Sequence, residues 1–154
     1  MTRAVVVSGS RRTEHRPTAE YEALFAEFLA PFVSDDAVVY VGGAEGIDSL
    51  ALTWLMANTT TRVVVAAPGT VSGQPAEARA AIAAAVERSA RIEVVELRHP
   101  EFPSASAYHS RNRWMVDRAG LLVAFPHGDN PSSGTIYTAN YAAERGLPRV
   151  IVPI

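Results

Sequence analysis

The chain has 154 residues and sets 14 Lys and Arg against 16 Asp and Glu, a formal charge of −2. Hydrophobic residues make up 48% and charged ones 19%, which excludes a disordered chain; the length suits a single domain over residues 1–154. The charge balance excludes a strong, sequence-blind grip on nucleic acid through surplus Lys and Arg, although a local basic site stays open. With no cysteine there is no disulfide framework, thiolate zinc site or cysteine nucleophile.

Met1, Thr2 and Arg3 lead into a short apolar run, Ala4 to Val7, that stops at Ser8-Gly9-Ser10. It is too short for a signal-peptide core, and no stretch reaches the roughly 18 apolar residues of a membrane helix. A cytoplasmic chain without membrane contact is the expectation. Residues 4–7, 38–41, 62–66, 92–97, 121–125 and 150–152 read as strands, each nearly continuous in apolar residues, the pattern of parallel strands covered on both faces.

Helices fall between them. From Thr18, taken as an N-cap, Tyr21, Leu24, Phe25, Phe28, Leu29 and Phe32 form one stripe with Glu20, Glu22 and Glu27 outside it. Ile47, Leu50, Ala51, Trp54 and Leu55 repeat the pattern. An alanine-rich third helix follows Pro75 over residues 76–86, a fourth is expected over about 108–119, and a fifth over about 133–145, stopped by Gly146 and Pro148. Residues 98–107 form the longest irregular piece and are expected to be a lid. Strands alternating with helices predict an α/β fold: an open, Rossmann-like three-layer sheet, mostly or wholly parallel, of about six strands with helices on both faces.

In such sheets ligands bind beyond the carboxyl ends of the strands, where helix N-termini present free N–H groups. Three of those ends carry glycine: Gly9-Ser10-Arg11 after the first strand, Gly42-Gly43-Ala44-Glu45-Gly46 after the second, and Ser133-Gly134-Thr135 opening the last helix. Each cluster has two readings, turn geometry or an anion site, and their convergence on one edge favours a phosphate-bearing ligand. Arg11, Arg12, His15 and Arg16 beside the first turn are either a solvated loop or part of that site. Asp48 reads as a helix cap or a catalyst, and Glu45 faces a ribose hydroxyl or water. Asn112 lies on a stripe with Tyr108 and Met115 and bonds either a loop or a ligand, while His109 and Arg113 are expected to point away. The four histidines, at 15, 99, 109 and 127, have no metal-ligand spacing, so no metal or cofactor is expected, and no Ser-His-Asp triad is legible.

Taken in order, Ser8-Gly9-Ser10-Arg11-Arg12, Gly42-Gly43-Ala44-Glu45-Gly46-Ile47-Asp48, Ser110-Arg111-Asn112-Arg113 and Ser133-Gly134-Thr135 resemble the SLOG superfamily across essentially the whole chain. That superfamily includes the Rossmann-like domain of the DNA-processing protein DprA (Smf), the LOG phosphoribohydrolases and small stand-alone proteins of the YspA and YpsA kind. The resemblance implies a nucleotide or nucleic-acid pocket lined by Gly9, Ser10, Arg11, Gly42, Gly43, Gly46, Ser133, Gly134 and Thr135. Arg111 matches an arginine of the LOG enzymes, and Thr138 stands where they place a glutamate.

The reading favoured at this stage is binding of a nucleotide or nucleotide-derived small ligand. Its phosphate would rest on N–H groups around Gly134-Thr135 and Gly42-Gly43, with Arg11 and Arg111 in charge-assisted bonds and Asn112 orienting base or ribose. The alternative is an N-glycosidase or deoxyribosyl-transfer enzyme on nucleotides, with Arg111, Glu45 and Asp48 as candidate catalytic residues (Asp129 in the fifth turn being a further carboxylate). DprA-like binding of single-stranded DNA comes third because of the charge. A homo-oligomer is expected from the resemblance and from Trp114, Met115, Tyr137 and Tyr141.

Overall fold

The structure, a computed structural model, describes residues 3–154; Met1 and Thr2, the start of the segment read as carrying no targeting signal, lie outside the described residues. Six strands, β1 (Arg3–Gly9), β2 (Ala37–Val41), β3 (Arg62–Pro68), β4 (Ile92–Leu97), β5 (Leu121–Phe125) and β6 (Arg149–Ile151), form one sheet in the order β4-β3-β2-β1-β5-β6. Every pairing is parallel; Val6 stands beside Tyr40 on one side and Leu122 on the other. The continuous apolar runs have their cause here. Val5, Val6 and Val7 are wholly buried because helices cover the sheet above and below.

The five α-helices are α1 (Thr18–Phe28), α2 (Ile47–Asn58), α3 (Ala76–Arg88), α4 (Ala105–Val116) and α5 (Gly134–Glu144). The first three pack on one face, where Tyr21, Phe25, Ile47, Leu55 and Ile82 meet Val5, Val7 and Phe125. The Phe25 ring stands edge-on to Phe125 at 5.3 Å and is tilted against Trp54 at 6.0 Å, a geometry that adds to the roughly 1.5–3 kcal/mol from burying each ring. On the other face α4 and α5 pack Met115, Val116, Ala139 and Ala142 against Val6, Leu122 and Ala124. Among the described residues no helix is long and apolar enough to cross a membrane.

Several sequence expectations are corrected at the helix ends. Thr18 is the first helical residue, and the extended Pro17 holds the cap position without a side-chain bond. The α1 stripe breaks at Leu29, ahead of Pro31, into one 3-10 turn over Ala30–Phe32. The fourth helix starts three residues early because Ser104 Oγ accepts the Ala107 N–H at 3.2 Å, and it ends at Val116.

That early start shortens the expected lid to residues 98–104, and the segment is tethered. The Phe102 N–H donates to His99 O at 3.1 Å, and the Phe102 ring lies so close under Gly69 that a Cβ there would stand 2.7 Å from it.

Candidate functional site

The strand order places β1 between β2 and β5. The chain leaves β1 in one direction through β4, then α4 carries it back over the sheet to lay β5 on the free side of β1. At that reversal the loops after β1 and β5 diverge and open a crevice beyond the strand ends. A cavity of about 500 Å³ lies there, within the size range of small-ligand sites. Its walls are residues 7–12, the face of α4 between Ala105 and Met115, and the segment from His127 to Thr135, with Ala44 and Asp48 reaching in from the second turn.

The first wall follows directly from strand pairing. Gly9 pairs with Phe125, the Ser10 N–H donates to Phe125 O at 3.1 Å, and Ser10 O accepts the Ile47 N–H at 3.0 Å. Ser10 Oγ closes a tight loop, accepting the Arg12 N–H and donating to Arg12 O, both at 3.0 Å. Arg11 is thereby turned outward, its guanidinium lying over the Tyr108 ring at 4.4 Å from the centroid. Tyr21 anchors the next stretch by donating to Thr13 O at 2.9 Å. The same loop carries His15 to within 4.0 Å of the His127 ring, a pairing that no sequence spacing announces.

On α4 the Arg111-Asn112 pair is buried, at 4% and 6% exposure. Arg111 Nη1 donates to Gly42 O and, at 3.3 Å, to Ala66 O, while Nε donates to Asn112 Oδ1 at 2.7 Å. Much of the guanidinium is thus committed to the carboxyl ends of β2 and β3, which the sequence reading did not foresee. Asn112 is oriented by Arg111 and presents its Nδ2 beside Gly134, where a Cβ would stand 3.9 Å away. His109, expected to point away, lines the cavity and stacks on Tyr137 at 3.7 Å and 4°. Burial, aided by the Arg113 charge, pushes its imidazole below the ordinary value. Arg113 itself turns from the cavity and donates to the Tyr137 hydroxyl at 2.6 Å.

The glycine-rich second turn serves the interior. Gly42, Gly43 and Gly46 are buried and do not line the cavity, contrary to the expectation that their N–H groups hold phosphate. A Cβ on Gly42 would stand 2.7 Å from both Arg111 Nη1 and Asp48 Oδ2; one on Gly43 would touch Val65. Glu45 is half-buried and also outside the lining. Asp48 does not cap α2, whose N-cap is Gly46 without a side-chain bond; its Oδ2 reaches back to accept the Ala44 N–H at 3.2 Å.

Burial pushes the Asp48 carboxyl above its ordinary 3.8, opposed by the Arg111 charge and the Ala44 N–H. Such a group favours folding fully below the unfolded value, and that contribution is lost as pH rises through the raised folded value. Wild type is therefore expected to lose stability relative to Asp48→Asn between pH 4 and pH 7, measured by urea unfolding of both proteins across that range. Parallel pH curves would refute it.

The third wall prepares the start of α5. Asn130 Oδ1 accepts from Ser132 N at 3.0 Å and Ser132 Oγ at 2.8 Å, and Asn130 O accepts the Ser133 N–H at 2.9 Å. Ser133 is the N-cap but makes no side-chain cap bond, so the first-turn N–H groups at Gly134 and Thr135 meet no side chain of the cap. Thr138 is wholly buried, its hydroxyl donating to Gly134 O at 2.7 Å, which ties the side chain into the helix.

The side chains expected to mediate self-association are engaged within the chain. Met115 is core, Trp114 packs on Tyr40 and under Arg118, and the Tyr141 hydroxyl donates to Asp117 at 2.7 Å.

The crevice at the sheet reversal thus brings together a basic rim, a buried Arg-Asn pair and an open helix N-terminus. The family model described as DNA recombination-mediator protein A matches residues 1–154. The chain belongs to that family. No curated protein matches it. Among solved structures, DNA processing protein A from Helicobacter pylori, described for its single-stranded DNA binding mode, matches with a TM-score of 0.70 at 21% identity. The match covers 99% of this chain and 66% of that one, so this member of the DNA recombination-mediator protein A family spans just under two-thirds of its structural relative. At that identity the likeness establishes a shared fold.

Proposed function

We propose that this chain binds single-stranded DNA by taking one nucleotide unit, phosphate first, into the cleft between β1, α4 and α5. The observation that carries this reading is the convergence of Arg11, Asn112 and the α5 N-terminus around one cavity of about 500 Å³ at the sheet reversal. Membership of the DNA recombination-mediator protein A family, and the likeness to a protein described as binding single strands, supply the source of that unit and raise it above the free nucleotide favoured on charge. Arg11, Arg12 and the helix N-terminus supply charge and donors for phosphate oxygens, and the half-buried Tyr108 ring under Arg11 lines the same cavity beside the nucleoside. The role is proposed for the cytoplasm.

A chain of net charge −2 with so compact a basic rim neutralises few phosphates, so the plot of log K against log salt is expected to slope only about −1 to −2. Fluorescence anisotropy with labelled oligothymidylate across a salt series reads this directly. Arg11→Ala is expected to weaken binding about tenfold, the scale of one charge-assisted contact. Absence of saturable binding to any oligonucleotide would overturn the proposal. The second reading, a free nucleotide, draws on the same charge and the single-unit capacity of the cleft; a mononucleotide binding as tightly as the oligonucleotide would select it.

A further inference from the structure

We infer that the cleft holds a nucleobase flat against the cavity face of His109, a stacking platform backed by Tyr137. This rests on the single-strand reading and adds which side chain takes the base.

Two aromatic side chains of α4 line the cavity, Tyr108 and His109, and they differ in what already covers them. The Arg11 guanidinium lies 4.4 Å from the centre of the Tyr108 ring, and Phe102 stands against that ring at 5.9 Å. His109 has a single ring neighbour among the described residues, Tyr137, at 3.7 Å and 4°. Tyr137 is not part of the cavity wall, so it backs the imidazole and leaves the opposite face to the cavity. The backing is braced, because the Tyr137 hydroxyl accepts from Arg113 Nη1 at 2.6 Å. Both rings are half-buried where α4 meets α5, which leaves little side-chain freedom to be lost when a base lands.

The stack also stands beside the donors offered to phosphate. Tyr137 lies in the first turn of α5, its N–H donating to Ser133 O at 2.9 Å. The N–H groups at Gly134 and Thr135 are therefore within about one helical turn, roughly 5 Å of rise. A nucleotide carries a flat base and an anionic phosphate separated by one sugar, and it engages both features; a bare phosphate engages only the second. An imidazole face reads no hydrogen-bonding edge of the base stacked on it, and every base has a π-face, so the platform tolerates any sequence.

The test compares oligothymidylate with an abasic oligonucleotide of equal length, by competition anisotropy on wild type, His109→Ala and His109→Phe. It is run at pH 8, above the ordinary imidazole value of 6.5, so that stacking is read without a charge on the ring. Wild type is expected to prefer oligothymidylate at least about tenfold, a fold-change within the range for one stacked base. His109→Ala is expected to cut that preference below about threefold with abasic binding unchanged. His109→Phe, which keeps a flat face but has no ring nitrogen, is expected to restore it. Equal affinity of wild type for the two oligonucleotides would overturn the inference and leave single-strand binding through phosphates standing. A preference that persists in His109→Ala would overturn its assignment to His109. One that His109→Phe fails to restore would overturn stacking as its cause. Failure of both oligonucleotides to bind wild type would remove the parent reading as well.

Discussion

Gly46→Ala is expected to destabilise the protein by about 3 kcal/mol, lowering its melting temperature by roughly 6–12 °C for a domain of this length. Two effects add. Gly46 has φ +75°, in the left-handed region where a side chain strains the backbone. Its added Cβ would also stand 2.6 Å from Arg11 Cα and press on Ser10 O, both main-chain atoms that cannot swing aside as a side chain would. The Ile47 N–H to Ser10 O bond runs through this contact, so relief of the clash would displace the turn that aims Arg11. Differential scanning calorimetry gives the stability, and on the proposed single-strand binding, anisotropy on the folded fraction is expected to show a further loss of affinity. A melting temperature within 2 °C of wild type would show that the two turns are not locked together at Gly46.

Arg111→Met is expected to cost about 3–5 kcal/mol, the penalty for removing one partner from a buried polar arrangement. The substitution preserves length and apolar bulk but withdraws the donors from Gly42 O, Ala66 O and Asn112 Oδ1. It also strips Asp48 of the nearest charge that opposes its burial. Burial pushes Arg111 itself down to about 10, with the Asp48 charge pulling it upward, so the guanidinium is charged at neutral pH and the two groups depend on one another. Adding Asp48→Asn to Arg111→Met is therefore expected to recover at least about 1 kcal/mol, measured as the coupling energy of a double-mutant cycle by urea unfolding. Strict additivity would show that Arg111 acts on the carbonyl groups alone.

The strands were legible because each is a nearly continuous apolar run, which burial on both faces demands of the inner strands, while the edge strand β4 admits Glu93 and Glu96. Helix existence was legible from the helical spacing of apolar residues. Helix ends were not: Ser104 outcompeted Tyr108 as the start of α4 because a hydroxyl that can accept an amide N–H wins over an apolar residue, and nothing in the stripe records that.

Of the site, Gly9, Ser10, Arg11, Arg111, Asn112, Ser133, Gly134 and Thr135 line one cavity as their positions after strands β1 and β5 and on α4 suggested. The glycines at 42, 43 and 46 carried the same local signal, yet they face Arg111, Val65 and the first turn. Glycine marks a close approach; whether a ligand or the protein's own interior approaches is not written locally.

The order of residues along the chain was enough to fix the element sequence, the parallel sheet and the edge at which ligand sites of such sheets collect, because those follow from local steric preference and from which segments must be buried. Which side chains meet there did not follow. That His15 reaches His127, that Arg11 lies on Tyr108, and that Arg111 turns inward to main-chain oxygens while Asn112 is left to the cleft are outcomes of contacts between segments tens of residues apart. Such contacts are set by the reversal of the sheet between β1 and β5 and by the need to pair every buried donor, a condition on the whole fold that no stretch of sequence satisfies alone.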